Sequence, residues 1–260
     1  MNIAIVGEHG QMVRALLGAL DKHNPRPMVT GTLQISGSFE AASQAACVHE
    51  SVSRADVVLD FSTPLLTRHV LALCQYHSKP AVIGTTGHGG GSCASFCDWN
   101  TFAKNVPFVR ASNYSVGMNT LFWLARKAAE VLGPGYDLEV LEVHHRKKKD
   151  APSGSARTLG AALSYARGPG PLGMQARYGR PEGFTDERSS AEIGFHSLRG
   201  GDVVGDHTVF FLGLGDRVEL THRATSRETF ALGALRSAEW ILGKPAGQYD
   251  MMDVLGLPKE

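Results

Sequence analysis

The chain has 260 residues, 43% of them hydrophobic, which is enough for one or two ordinary cores. Its formal charge of +1 gives no general attraction for nucleic acid or an anionic membrane surface. No apolar run reaches the length of a membrane span.

The first segment, M-N-I-A-I-V-G, lacks the basic head and long apolar stretch of a signal peptide and reads directly into a strand, Asn2–Val6. The loop V-G-E-H-G-Q-M-V follows. Gly7 and Gly10 suit a tight turn that lets backbone approach a pyrophosphate; a third glycine would fall at Val13. Met12–Leu20 then reads as a helix with Leu16, Leu17 and Leu20 on one side. Met28–Leu33, Asp56–Phe61, Ala81–Gly84 and Val106–Arg110 are further short strands, with a helical stretch at Leu65–Tyr76. The β-α-β alternation predicts a doubly wound parallel sheet. Between Met28 and Phe39 there is neither acid nor base. Gln34 is the polar candidate where a carboxylate would read the ribose hydroxyls of NADH. Four cysteines (Cys47, Cys74, Cys93 and Cys97) are too few for a disulfide scaffold. Cys93 and Cys97 have no second Cys or His pair at zinc spacing, so no metal is expected and the thiols read as reduced and cytoplasmic.

The rhythm changes after Arg110. Met118, Leu121, Phe122, Ala125, Ala128 and Leu132 form a helical stripe that ends at G-P-G. A strand, Tyr136–Val143, delivers the fifteen residues E-V-H-H-R-K-K-K-D-A-P-S-G-S-A, from Glu142 to Ala156. An adjacent histidine pair is common by chance, a basic run is usually a solvated face and S-G-S is usually a turn. Together, between a strand and a helix start, they point to a site. Ser153 is a candidate N-cap, and the amides of Gly154 and Ser155 would face an anion at the positive end of a helix. A Gly/Pro-rich loop, 167–191, precedes strand-like runs at Ile193–Leu198, Asp202–Leu212 and Arg217–His222. Strands with little helix between them predict an open mixed sheet in a second, α+β domain. A helix, Arg227–Leu242, and a tail, Gln248–Leu257, close the chain. The expected domains are 1–113 with 224–260, and 114–223.

The segment from His144 resembles the signature H-H-R-x-K-x-D-A-P-S-G-T of the dihydrodipicolinate (4-hydroxy-tetrahydrodipicolinate) reductase family. The match is His144, His145, Arg146, Lys148, Asp150, Ala151, Pro152, Ser153 and Gly154, with Ser155 in place of threonine. Gly7, Gly10 and Met12 match that family's G-x-x-G-x-M-G, from which Val13 departs. Ile83–Gly87 and Ala111–Asn119 resemble its I-G-T-T-G and A-x-N-[FY]-S-x-G stretches, Asp60-Phe61-Ser62 another strand end, and the tail its C-terminus. The resemblance covers nearly the whole chain.

It implies a Rossmann-like first domain that binds NADH or NADPH through Gly7, Gly10, Gln11, Met12, Gly84, Thr85, Thr86, Ala111, Ser112, Asn113 and Tyr114. It implies His144 as the catalytic acid and Lys148 as a second donor. His145 and the Gly154 and Ser155 amides would bind a small-molecule dicarboxylate, and the assembly would be a homotetramer. The R-G-G-D-V-V-G-D-H-T run, Arg199–Thr208, is expected to be a sheet and subunit-contact element rather than chemistry. Rival readings fit the pattern less well: a dehydrogenase acting on an amino acid or semialdehyde would lack the His144–Gly154 pattern, and a nucleotide-sensing scaffold would not need His144 and Lys148. A nucleic-acid binder would need interleaved aromatics and a larger positive charge.

Overall fold

The structure, a computed structural model, describes residues 1–7, 10–22, 27–33, 42–87, 98–168, 174–183 and 186–259. The expectations for Gln34, Cys93 and Cys97 lie outside the described residues. Two compact units divide the chain. The first is Met1–Val116 with Arg227–Glu260, and the second is Gly117–Ser226.

The first unit is built on six parallel strands: β1 (Asn2–Val6), β2 (Met28–Leu33), β3 (Val57–Asp60), β4 (Ala81–Ile83), β5 (Pro107–Arg110) and β11 (Gly247–Tyr249). Their order is β2-β1-β3-β4-β5-β11. Strands covered on both faces must be apolar throughout, and β3 and β4 are wholly buried. One face packs Ile3, Ile5 and Leu59 against helices α1 (Gln11–Lys22), α7 (Glu228–Ile241) and α8 (Met251–Leu255), through Leu16, Leu20, Leu235, Ile241 and Val254. The other packs Ala4, Val6, Val58 and Phe108 against α2 (Ala42–Arg54), α3 (Pro64–Tyr76) and α4 (Trp99–Asn105), through Val52, Val70, Leu71 and Trp99.

Two local expectations change. Leu17 is 36% exposed, because the buried stripe of α1 runs Val13, Leu16, Ala19, Leu20. Val13, where a third glycine was expected, is itself core. Its Cγ2 lies 2.9 Å from where a Cβ on Gly7 would stand, and the Phe61 carbonyl oxygen lies 2.8 Å from the same point. Gly7 thus keeps the helix close to the sheet.

The second unit holds β6 (Asp137–His144), β7 (Gln175–Tyr178), β8 (Glu192–Arg199), β9 (Gly205–Leu212) and β10 (Arg217–Ala224), in the order β10-β9-β6-β8-β7. β6 and β7 run parallel to β8, and β9 runs antiparallel to β6 and β10. This is the expected mixed sheet, with β7 added inside the stretch read as loop. Helix α6 (Gly154–Arg167) packs on one face, burying Ala156, Leu159 and Leu163, with the Phe195 ring seated over Gly160. The other face carries Leu141, Val143, Thr208, Phe210 and Leu212, none of them fully buried. Helix α5 (Val116–Leu132) buries Met118, Leu121, Phe122, Ala125 and Ala129.

Candidate active site

In a parallel sheet every carboxyl end lies on one edge, where ligands of doubly wound folds bind. β1 ends there at Val6, next to Gly7, and Gln11 and Met12 begin α1, directly after Gly10. β4 ends at Ile83, next to Gly84, and β5 ends at Arg110. Beyond them lies a cavity of about 330 Å³ lined by Thr85, Thr86, Gly87, Arg110, Ala111, Ser112 and Gln248. It brings together four of the expected cofactor residues and adds three that the sequence reading missed.

The cavity wall is held by side chains behind it. A Cβ on Gly84 would stand 2.0 Å from the Phe61 ring, so only glycine fits. Thr85 Oγ1 accepts from the Ser62 amide at 2.9 Å. The buried Asp60 carboxylate accepts from that amide at 3.1 Å, from Thr67 Oγ1 at 2.5 Å and from Ser62 Oγ. Burial pushes the Asp60 carboxyl above the usual carboxylate range, against the pull of these hydrogen bonds.

The Tyr114 side chain is not among those that line the cavity. It is core: the hydroxyl donates toward the carbonyls of Ile83, at 2.8 Å, and Val109, at 3.1 Å, and the ring meets Phe61 edge-on. The phenol is occupied in tying two strand ends together and is not turned to a ligand. Asn113 Oδ1 accepts from the Ser115 amide at 2.8 Å and shapes the same turn. Glycines that admit no Cβ, at the carboxyl edge of a parallel sheet beside a cavity lined by hydroxyls, fit a pyridine dinucleotide.

In the second unit, β6 alternates strictly between buried and half-buried. Leu138 and Val140 are apolar and buried, but the same parity then gives Glu142 and His144. A carboxylate 1% exposed needs compensation. Arg199 provides it through a two-pronged ion pair, Nη2 to Oε1 at 2.7 Å and Nη1 to Oε2 at 2.9 Å. The Ser153 amide donates to Oε1 at 3.3 Å, and His144 Nδ1 is hydrogen-bonded to Oε2. Burial acts to raise the Glu142 carboxyl, but the bonds from His144 and Arg199 outweigh it and hold it well below the ordinary carboxylate range.

His207, opposite Glu142 in the β6–β9 register, packs edge-on against the His144 ring with centroids 5.2 Å apart. Its Nε2 lies 3.1 Å from Ser153 Oγ. Burial first, then repulsion from His144, push the His207 imidazole down to about 3, so this ring is neutral at working pH.

The turn that follows brings the remaining expected residues to the same end of β6. Lys148 donates its amide to the His145 carbonyl at 3.0 Å, and its ammonium pairs with Asp150 at 2.9 Å. The Ala151–Pro152 peptide is cis. Ser153 caps α6 as expected, its Oγ accepting from the Ala156 amide at 3.2 Å. Gly154 and Ser155 form the first turn, whose N–H groups point out of the helix end, and nothing stands within 4 Å of where a Gly154 Cβ would be. His144, His145, Lys148, Gly154 and Ser155 thus belong to one end of one sheet. Glu142, Arg199, Gly205 and His207 were missed. Arg199 and His207, expected as part of a sheet and subunit-contact element, also bond Glu142 and pack on the His144 ring, respectively.

Two family models match the chain: dihydrodipicolinate reductase, N-terminus, over residues 1–114, and dihydrodipicolinate reductase, C-terminus, over residues 117–255. A 4-hydroxy-tetrahydrodipicolinate reductase of Akkermansia muciniphila is 46% identical over 99% of this chain and 98% of its own length. One of Thiobacillus denitrificans is 46% identical over 99% of both chains. Among solved structures, a dipicolinate-bound dihydrodipicolinate reductase from Paenisporosarcina sp. TG-14 superposes with a TM-score of 0.70 over 97% of this chain and 98% of its own, at 22% identity. An engineered D-amino acid dehydrogenase bound to NADP+ shares the fold at a TM-score of 0.53 and 11% identity, covering 97% of this chain and 93% of its own.

Proposed function

The chain belongs to the dihydrodipicolinate reductase family, and on that premise we propose which of its residues carry the family's reaction. That reaction is the NAD(P)H-dependent reduction of 4-hydroxy-tetrahydrodipicolinate to tetrahydrodipicolinate, with loss of water, in lysine and diaminopimelate biosynthesis.

In this reading Gly7, Gly10, Gln11 and Met12 hold the pyrophosphate. Thr85, Thr86, Ala111, Ser112 and the backbone at Gly84 and Asn113 receive the nicotinamide, with Arg110 and Gln248 beside them. When bound, the dihydronicotinamide supplies a hydride to C4 of the ring, after the 4-hydroxyl has left as water. His144 gives a proton to C3 of the resulting enamine, work that an imidazole performs near neutral pH. Lys148 acts as a second donor and binds substrate. His145 and the first-turn amides Gly154 and Ser155 bind a carboxylate. The run Arg146–Lys149 attracts a dianionic substrate.

The observation that carries this reading is the burial of His144, braced by Glu142, at the strand end where Lys148 and the start of α6 also arrive. Either nucleotide serves, because the sequence places no carboxylate or arginine in the ribose-reading window. The half-buried sheet face with Leu141 and Phe210 suits packing between copies in a homotetramer, and the enzyme works in the cytoplasm. The test is NADH oxidation with substrate made in situ from pyruvate and aspartate semialdehyde by the preceding synthase. Absence of oxidation with either nucleotide overturns the reading.

A further inference from the structure

We infer that Glu142 is a positioning residue: pinned by Arg199, it holds His144 through Nδ1 and presents Nε2 as the proton-donating atom over Gly205. The inference rests on the reading of His144 as the acid, and it adds which nitrogen works and what aims it.

An ionised carboxylate only accepts hydrogen bonds. With Oε2 of Glu142 facing Nδ1, that nitrogen carries a hydrogen in both protonation states of the ring. The proton that is given up therefore leaves from Nε2. The aim of the ring depends on a carboxylate that cannot turn, and Glu142 is fixed by the two prongs of Arg199 and by the Ser153 amide. Arg199 is fixed in turn: its Nη2 also donates to the Asp150 carbonyl at 2.7 Å, joining the ion pair to the turn before α6.

Stability alone is a poor reason for this arrangement. Buried ion pairs commonly stabilise no more than apolar residues of the same size. The same face of β6 already uses Leu138 and Val140, four and two residues before Glu142.

Gly205 is the second, independent observation. Its backbone is not in the left-handed region, so conformation does not demand glycine there. A Cβ at that position would stand 3.0 Å from His144 Nε2 and 3.4 Å from Cδ2. What the missing side chain keeps clear is the donor nitrogen.

The test is a double-mutant cycle between Glu142→Gln and His144→Gln, read by steady-state kinetics and by nitrogen-15 NMR of the imidazole. Glu142→Gln is expected to lower kcat by about 10–100-fold, less than the roughly 10²–10⁴-fold that a general acid supplies, because the acid itself is kept. The KM for NADH should not change. The His144 ring should pass from one tautomer, protonated at Nδ1, to a mixture. In the His144→Gln background the same change should cost less than about twofold, because nothing is left to aim. Equal losses in both backgrounds would make Glu142 merely structural and overturn the inference. A large loss in His144→Gln with none in Glu142→Gln overturns it while sparing the acid assignment. No loss in His144→Gln overturns both. Should Glu142→Gln fail to fold, Gly205→Ala decides: kcat should fall at least tenfold with NADH affinity kept, and unchanged kcat would refute the placement of Nε2.

Discussion

His207 should make the second unit acid-sensitive above the range where carboxylates titrate. Its ring is 3% exposed and its folded-state pKa is depressed to about 3, against roughly 6.5 in an unfolded chain. A depressed value means that the unfolded chain binds more protons between these limits. The contribution to stability is therefore complete above pH 6.5 and is lost progressively as pH falls towards 3. Integrating the linkage relation from pH 7 to pH 5 gives a loss of about 2 kcal/mol, a large part of an ordinary 5–15 kcal/mol. The figure is set by the unfolded-state value, because pH 5 lies well above the folded one. His207→Gln keeps a polar partner for Ser153 Oγ but cannot titrate, so its loss over this interval should be smaller by that amount. A two-unit chain need not unfold in one step, so the assay is hydrogen exchange of β9 amides at both pH values, corrected for intrinsic rates. If wild type and variant lose the same free energy, His207 is not a buried neutral base and the reasoning fails.

Three further outcomes are expected. His144→Gln should lower kcat by roughly 10²–10⁴-fold with NADH affinity near wild type by calorimetry, since His144 lies in the second unit and the proposed nucleotide edge in the first. Pyridine-2,6-dicarboxylate, a planar mimic of the substrate, should compete with it, and Lys148→Ala should raise its inhibition constant; an unchanged constant would make the cationic run a solvated face. NADH and NADPH should give kcat/KM values within about tenfold, equivalent to roughly 1.4 kcal/mol, and a hundredfold preference would show that a residue outside the window from Met28 to Phe39 reads the ribose.

Most of the site was legible because its residues are contiguous. His144 to Ser155 spans a strand end, a turn and a helix start, and each part announces itself locally through alternation, proline and an N-cap serine. The supporting residues come from other strands. Arg199 and His207 reach Glu142 only through the registers of β6 with β8 and β9. One clue was present nonetheless: in D-L-E-V-L-E-V-H the period of two puts Glu142 and His144 on the face of Leu138 and Val140, so a buried carboxylate in need of a cation could have been read. β7 and β11, with four and three residues, are too short for any periodicity to show, and their existence is decided by the neighbours they pair with. Tyr114 illustrates the reverse problem. Its place in a motif was visible, but which way its phenol turns depends on two carbonyls, one of them 31 residues away.

The return of the last segment to the first unit orders events during synthesis. The strand β11 and the helix α7 come after Ser226, yet Ala234, Leu235 and Ile241 share one cluster with Ile3, Ile5 and Leu16. Once residues 117–226 have emerged from the ribosome, the second unit has everything it needs. At that moment β5 still presents an unpaired edge, and of the three helices on one face of the first sheet only α1 is in place. The half that is begun first is finished last, and in the interval it is the part of the nascent chain most exposed to wrong partners.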